Sequence, residues 1–125
     1  MKLRPFLLPS ALLVSSLNSY AQTYTGNDLL NDMSASNPQQ VFAMGYVAGA
    51  AEAIRDVIDA QRLSNNQRKG LLPTYCSPGA GIPREQLLDI VKKYLLDNPA
   101  SRHDGADVQV YAALTEAFPC PANPK

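Results

Sequence analysis

The sequence predicts an all-α fold: a compact bundle of about four helices, a long loop between the second and third main helices, and one disulfide. Three observations carry this. Apolar residues recur at helical spacing in four separate segments. Alternating apolar and polar runs, the mark of strands, are absent. Two cysteines, Cys76 and Cys120, stand far apart in a chain that starts like an exported one.

The export signal comes first. Lys2 and Arg4 give a positive start, Phe6 to Val14 is apolar apart from Pro9 and Ser10, and small and polar residues lead to Ser19-Tyr20-Ala21. That order of segments is the pattern of a secretory signal peptide over residues 1–21. A membrane helix is the competing reading, but a span needs about 20 apolar residues, and Pro9, Ser10, Ser15 and Ser16 interrupt this run. Residue 22 is Gln, not Cys, so a lipid anchor is not indicated. The expected domain is 22–125, in an extracytoplasmic compartment.

Of 11 basic and 11 acidic side chains, Lys2 and Arg4 fall in the leader, so residues 22–125 carry nine and eleven, a net charge of −2. The charges are mixed along the chain and no basic block occurs, which argues against nucleic acid or an anionic membrane surface as partner. In an oxidising compartment an even cysteine count reads as a disulfide; two free thiols are the alternative. The bridge would close a loop of about 45 residues, worth about 4 kcal/mol on the chain-entropy estimate.

The first helix is expected near Asp28 to Ala35, capped by Thr25 or Asn27, with Leu29, Leu30 and Met33 on one face. The second is the longest. Asn37 is a good cap, Pro38 suits the first helical position, and Val41, Met44, Val47, Ala51, Ile54 and Ile58 make a stripe running to about Gln61. Gly45 and Gly49 form a G-x-x-x-G pair on this helix. Charged Glu52, Arg55, Asp56 and Asp59 follow, so the pair predicts a groove where another helix packs close, not membrane dimerisation. Arg62 to Pro83 reads as a loop, with a helical turn conceivable over Asn65 to Leu72. A third helix is expected over Arg84 to Leu96, with Asp89 and Lys93 at i,i+4, and a fourth over Asp104 to Ala117, stopped by Pro119.

Catalytic chemistry finds little footing. His103 stands alone in a polar loop, and a metal site needs more ligands at ligand spacing. No G-x-S-x-G context is present, and Gly79-Ala-Gly81 is too short for a phosphate loop. Asp56/Asp59 and Asp104/Asp107 read as solvated helix faces. No cofactor and no enzymatic activity are expected.

Phe42-Ala-Met-Gly-Tyr-Val-Ala-Gly49 resembles the F-C-x-G-Y-x-x-G core of the Rap/Tai family, periplasmic immunity proteins against type VI secretion amidase effectors. Gly26-Asn-Asp-Leu-Leu30, Cys76-Ser-Pro78, the run Gln86 to Leu95, Asn98-Pro99 and Ala112-Ala-Leu-Thr-Glu-Ala-Phe-Pro-Cys120 resemble that family in the same order. The resemblance covers nearly all of residues 22–125. Met33 and Ala43 stand where the family commonly has one cysteine pair, while Cys76 and Cys120 match the other. Pro83 replaces a Thr-like cap. The resemblance implies a periplasmic protein that binds and inhibits a peptidoglycan amidase effector, and it allows a homodimer. A small periplasmic acid-stress-type chaperone is the alternative. For the binding surface the expectation falls on the loop from Arg62 to Pro83, with Arg68, Lys69 and Tyr75 as anchors.

Overall fold

The computed structural model describes residues 23–63, 75–79 and 81–120; the expected signal peptide lies outside them. The order is α1 (Gly26–Ser34), α2 (Gln39–Leu63), α3 (Arg84–Asp97), a 3₁₀ turn (Pro99–Ser101) and α4 (Ala106–Ala117). All six pairings of the four helices make contact. Among the described residues, β-pairing is limited to two isolated antiparallel bridges, Thr25 with Gly105 and Tyr75 with Pro119. No described helix is long and apolar enough to cross a membrane.

Thr25, not Asn27, caps α1. Its hydroxyl accepts from the Asp28 N–H at 3.3 Å and donates to the Asp28 carboxylate at 2.7 Å, while the Thr25 N–H donates to the same carboxylate oxygen at 2.9 Å. The next donors of the first turn, which a helix cannot satisfy internally, reach carbonyls ahead of α4: Gly26 N–H to Asp104 and Asn27 N–H to Arg102. The Ala106 N–H in turn donates to the Tyr24 carbonyl. The starts of α1 and α4 therefore brace one another, which compensates for the missing side-chain cap at Gly105.

Hydrogen bonds from the hydroxyl and amide of Thr25 hold the Asp28 carboxyl below the usual carboxylate range. A depressed folded-state pKa gives stability that is present above the unfolded value of 3.8 and lost as pH falls through the folded one. Unfolding midpoints measured from pH 5 to pH 2 should therefore decline less steeply in Asp28→Asn than in the wild type.

Gly26 is where backbones approach closely. A Cβ there would lie 2.9 Å from Gln109 Cγ, 3.0 Å from Leu95 Cδ2 and 3.1 Å from the Arg102 carbonyl oxygen. The expected close contact at Gly45 and Gly49 is not made among the described residues: both are exposed, and a Cβ at either would meet no described atom within 4 Å beyond its own stretch of helix. The reason is the face that α2 turns inward. Ala43, Val47 and Ile58 are buried, whereas Val41, expected in the stripe, is 61 % exposed and Phe42 56 %. The two glycine classes should separate in urea unfolding. Gly45→Ala and Gly49→Ala each gain about 0.5–1 kcal/mol from helix propensity, and Gly26→Ala loses about 1–3 kcal/mol by overpacking.

α3 begins at Arg84 as expected even though Pro83 supplies no side-chain cap; the Leu87 N–H donates to the Pro83 carbonyl. Its far end is closed from outside. Arg102 donates through Nε to the Leu95 carbonyl and through Nη2 to the Leu96 carbonyl, and Asn98 Nδ2 donates to the Tyr94 carbonyl. A cation at the carboxyl end of a helix also suits its dipole. Lys93 pairs with Asp97, one turn after it, and not with the expected Asp89, one turn before it. Leu87, Val91 and Leu95 of α3 bury against Ala106, Val110, Ala113 and Leu114 of α4 in a core shared with Leu29 and Met33. Gln109 is buried in that core and is satisfied: its Nε2 donates to the Ser101 carbonyl at 2.9 Å, and the Ser101 hydroxyl donates back to its Oε1 at 3.3 Å.

Candidate partner-binding surface

After α2 the next described residue is Tyr75, where the chain lies against the bundle. Tyr75 is 4 % exposed. The Cys76 N–H donates to the Phe118 carbonyl at 2.9 Å, and Cys76 is disulfide-bonded to Cys120. The expected bridge is thus present, and it fastens the far end of the long connection just past α4.

Tyr75 does not present itself as a surface anchor; it is packed into the core with Ile58. Burial pushes its hydroxyl pKa up, with Arg55 opposing and Asp59 adding to the shift. A phenol is amphipathic, so a tyrosine in a loop sequence serves equally as a surface contact or as a post set into the core. Here it is the post. Arg68 and Lys69, the other expected anchors, lie outside the described residues.

Between α2 and the segment after Tyr75 lies a hollow of about 290 Å³, lined by Arg55, Ile58, Asp59, Tyr75, Cys76 and Ser77 among others. A second hollow of about 170 Å³ shares Arg55, Tyr75 and Ser77 with it and extends toward Glu52, Ile82 and Arg84. Both are open to solvent and carry charges of both signs. That suits contact with a polypeptide better than enclosure of a small molecule, whose sites are deeper and mostly apolar.

A second exposed feature lies near the start of α2. Tyr24, Phe42 and Tyr46 cluster edge to face, with ring centroids 4.9 Å apart for Tyr24–Tyr46 and 5.5 Å for Tyr24–Phe42. Tyr24 donates to Asp32 at 2.7 Å, and burial followed by that hydrogen bond raises its pKa. Burial, then the charge of Asp107, raises that of Tyr46. Tyr24 and Tyr46 are half-buried, while Phe42 remains largely exposed. The sequence signal for this cluster was available in Phe42 and Tyr46 at i,i+4; the third ring comes from a loop, which periodicity does not address.

His103 is exposed, with Nε2 3.4 Å from Asp104 Oδ1. Among the described residues no group of three or more His, Cys, Asp or Glu side chains is placed to hold a metal ion. Arg55 lies 3.9 Å from Asp56, both on the surface.

No curated protein and no solved structure matches the chain. The family model described as Rap1a immunity proteins matches residues 25–120, from the cap of α1 to the second cysteine of the disulfide. A four-helix chain matched over that whole span, with its connection pinned at Cys76 and Cys120, belongs to the Rap1a immunity protein family.

Proposed function

We propose that this protein is a periplasmic immunity protein that binds and inhibits a peptidoglycan amidase delivered by type VI secretion, without catalysing a reaction itself. The observation that carries the reading is the family match over residues 25–120. The leader-like residues 1–21 support the compartment, and the mixed charge of the exposed hollows supports a protein partner.

The inhibitory surface of this proposal is the connection between α2 and α3, residues 64–83, shorter than the expected loop because Arg62 and Leu63 complete α2, with Arg68 and Lys69 as charged contacts. Tyr75 and the Cys76–Cys120 bridge hold the far end of that connection on the bundle. Restraint at an end lowers the conformational entropy lost when a partner is bound. A homodimer would offer two such connections to its partners.

The experiment is periplasmic co-expression with an amidase encoded beside this protein. Wild type should prevent lysis and bind the purified amidase stoichiometrically. Arg68→Ala/Lys69→Ala, folded as judged by circular dichroism, should bind at least about tenfold more weakly, a modest effect for charged interface residues. Equal protection by that variant removes the connection as the inhibitory surface. Failure of wild type to bind any such amidase removes the amidase reading. Binding of an apolar dye at pH 3, together with suppression of client aggregation, would instead favour the acid-stress chaperone.

A further inference from the structure

Segment 75–79 buries little of itself against the bundle. Tyr75 is its one buried side chain; Cys76 is half-buried, and Ser77, Pro78 and Gly79 are exposed. A hydrogen bond from the Cys76 N–H to the Phe118 carbonyl accompanies the isolated bridge between Tyr75 and Pro119. The disulfide joins the same two stretches of chain. Cys76 lines the solvent-open hollow beside Arg55 and Asp59, and Cys120 is only half-buried, so a small reductant can reach the bond.

The core is built differently. Leu29, Leu87, Val91, Leu95, Val110 and Leu114 are buried by contacts among the four helices. None of the six helix pairings is made through segment 75–79. Elements with few buried contacts open at lower free energy than the core, and they open first.

We propose that the Cys76–Cys120 disulfide is a redox latch on partner binding. Oxidised, it clamps segment 75–79 against the end of α4 and fixes the hollow between that segment and α2. Reduced, it releases the segment while the four helices stay packed, and the effector-facing surface loses its shape. This rests on the function proposed above. In the reducing step a dithiol donates two electrons and two protons, the S–S bond breaks to give the Cys76 and Cys120 thiols, and the reductant leaves as its own disulfide. The reverse step needs a disulfide oxidant, which an oxidising compartment supplies. Such a latch makes the inhibitor competent only where its target acts.

The test compares oxidised protein, protein reduced with dithiothreitol and the Cys76→Ser/Cys120→Ser variant, by amide hydrogen exchange with mass spectrometry. Protection around Cys76 should be lost on reduction, while α3 and α4 peptides holding Leu95 and Val110 exchange faster, in line with the lower global stability, but stay protected. Helical circular dichroism should be retained. Tyr75→Ala with the bridge intact should open the segment less than reduction does. Unchanged exchange at Cys76, or loss of the helices on reduction, overturns the latch. The amidase is then titrated against both redox forms, and affinity should fall by about tenfold or more on reduction. Equal binding by both forms overturns the link to the partner. Binding by neither, with the exchange difference present, leaves the latch on the fold standing and removes the amidase reading on which its link to binding rests.

Discussion

Leu95→Ala should lower the free energy of unfolding by about 2–5 kcal/mol, out of a total of about 5–15 kcal/mol for a domain of this size. Leu95 is fully buried on α3, and its Cδ2 reaches the space above Gly26 where α1 starts. Truncation leaves a cavity bounded by α1, α3 and α4, and the braced starts of α1 and α4 resist collapse into it. The same geometry predicts a coupling. Gly26→Ala places its methyl 3.0 Å from Leu95 Cδ2, so removing that leucine makes room for it. The double variant should be less unstable than the two single losses added together, by about 0.5–3 kcal/mol. The relief is partial, because Gln109 Cγ and the Arg102 carbonyl oxygen still face the new methyl. A urea-denaturation cycle over the four proteins measures it, and additive losses would show that the methyl and the leucine do not meet.

Replacing the bridge by Cys76→Ser/Cys120→Ser should cost about 4 kcal/mol of global stability on the chain-entropy estimate. The two cysteines are separated by 44 positions, and the ring they close contains all of α3 and α4. The effect belongs to the unfolded chain, whose freedom the ring restricts, so it should appear mainly as a lower denaturant midpoint. A loss below about 1 kcal/mol would mean that the unfolded chain is already compact around this ring.

The helix boundaries were legible to within about two residues because caps and breakers sit at nearly every end: Thr25 with Asp28, Pro38 before α2, and Pro119 after α4. The inward face of α2 was less legible. Val41 opens the stripe read from hydrophobicity, but the helix buries Ala43 and leaves Val41 and Phe42 outside. On a helix rich in alanine, glycine and valine all round, hydrophobicity distinguishes faces poorly, and close packing against other helices selects small side chains over large ones. The glycines show the same limit. Gly45 and Gly49 have the spacing of a packing groove, yet the glycine that packs is Gly26, at a helix start where no spacing motif applies. The role of Tyr75 was open for a related reason: sequence places it beside Cys76, and only the return of the chain to α4 decides that its ring goes inward.

The ring closed at Cys76 and Cys120 also divides the molecule mechanically. A pull between the two chain ends would pass from Cys76 through the sulfur atoms to Cys120, bypassing α3 and α4. Those helices could not be drawn out while the bond is intact, however far α1 and α2 had unravelled. About 150 Å of contour, at roughly 3.4 Å per residue, would stay hidden from the applied force and be released in one step when the bond is cut.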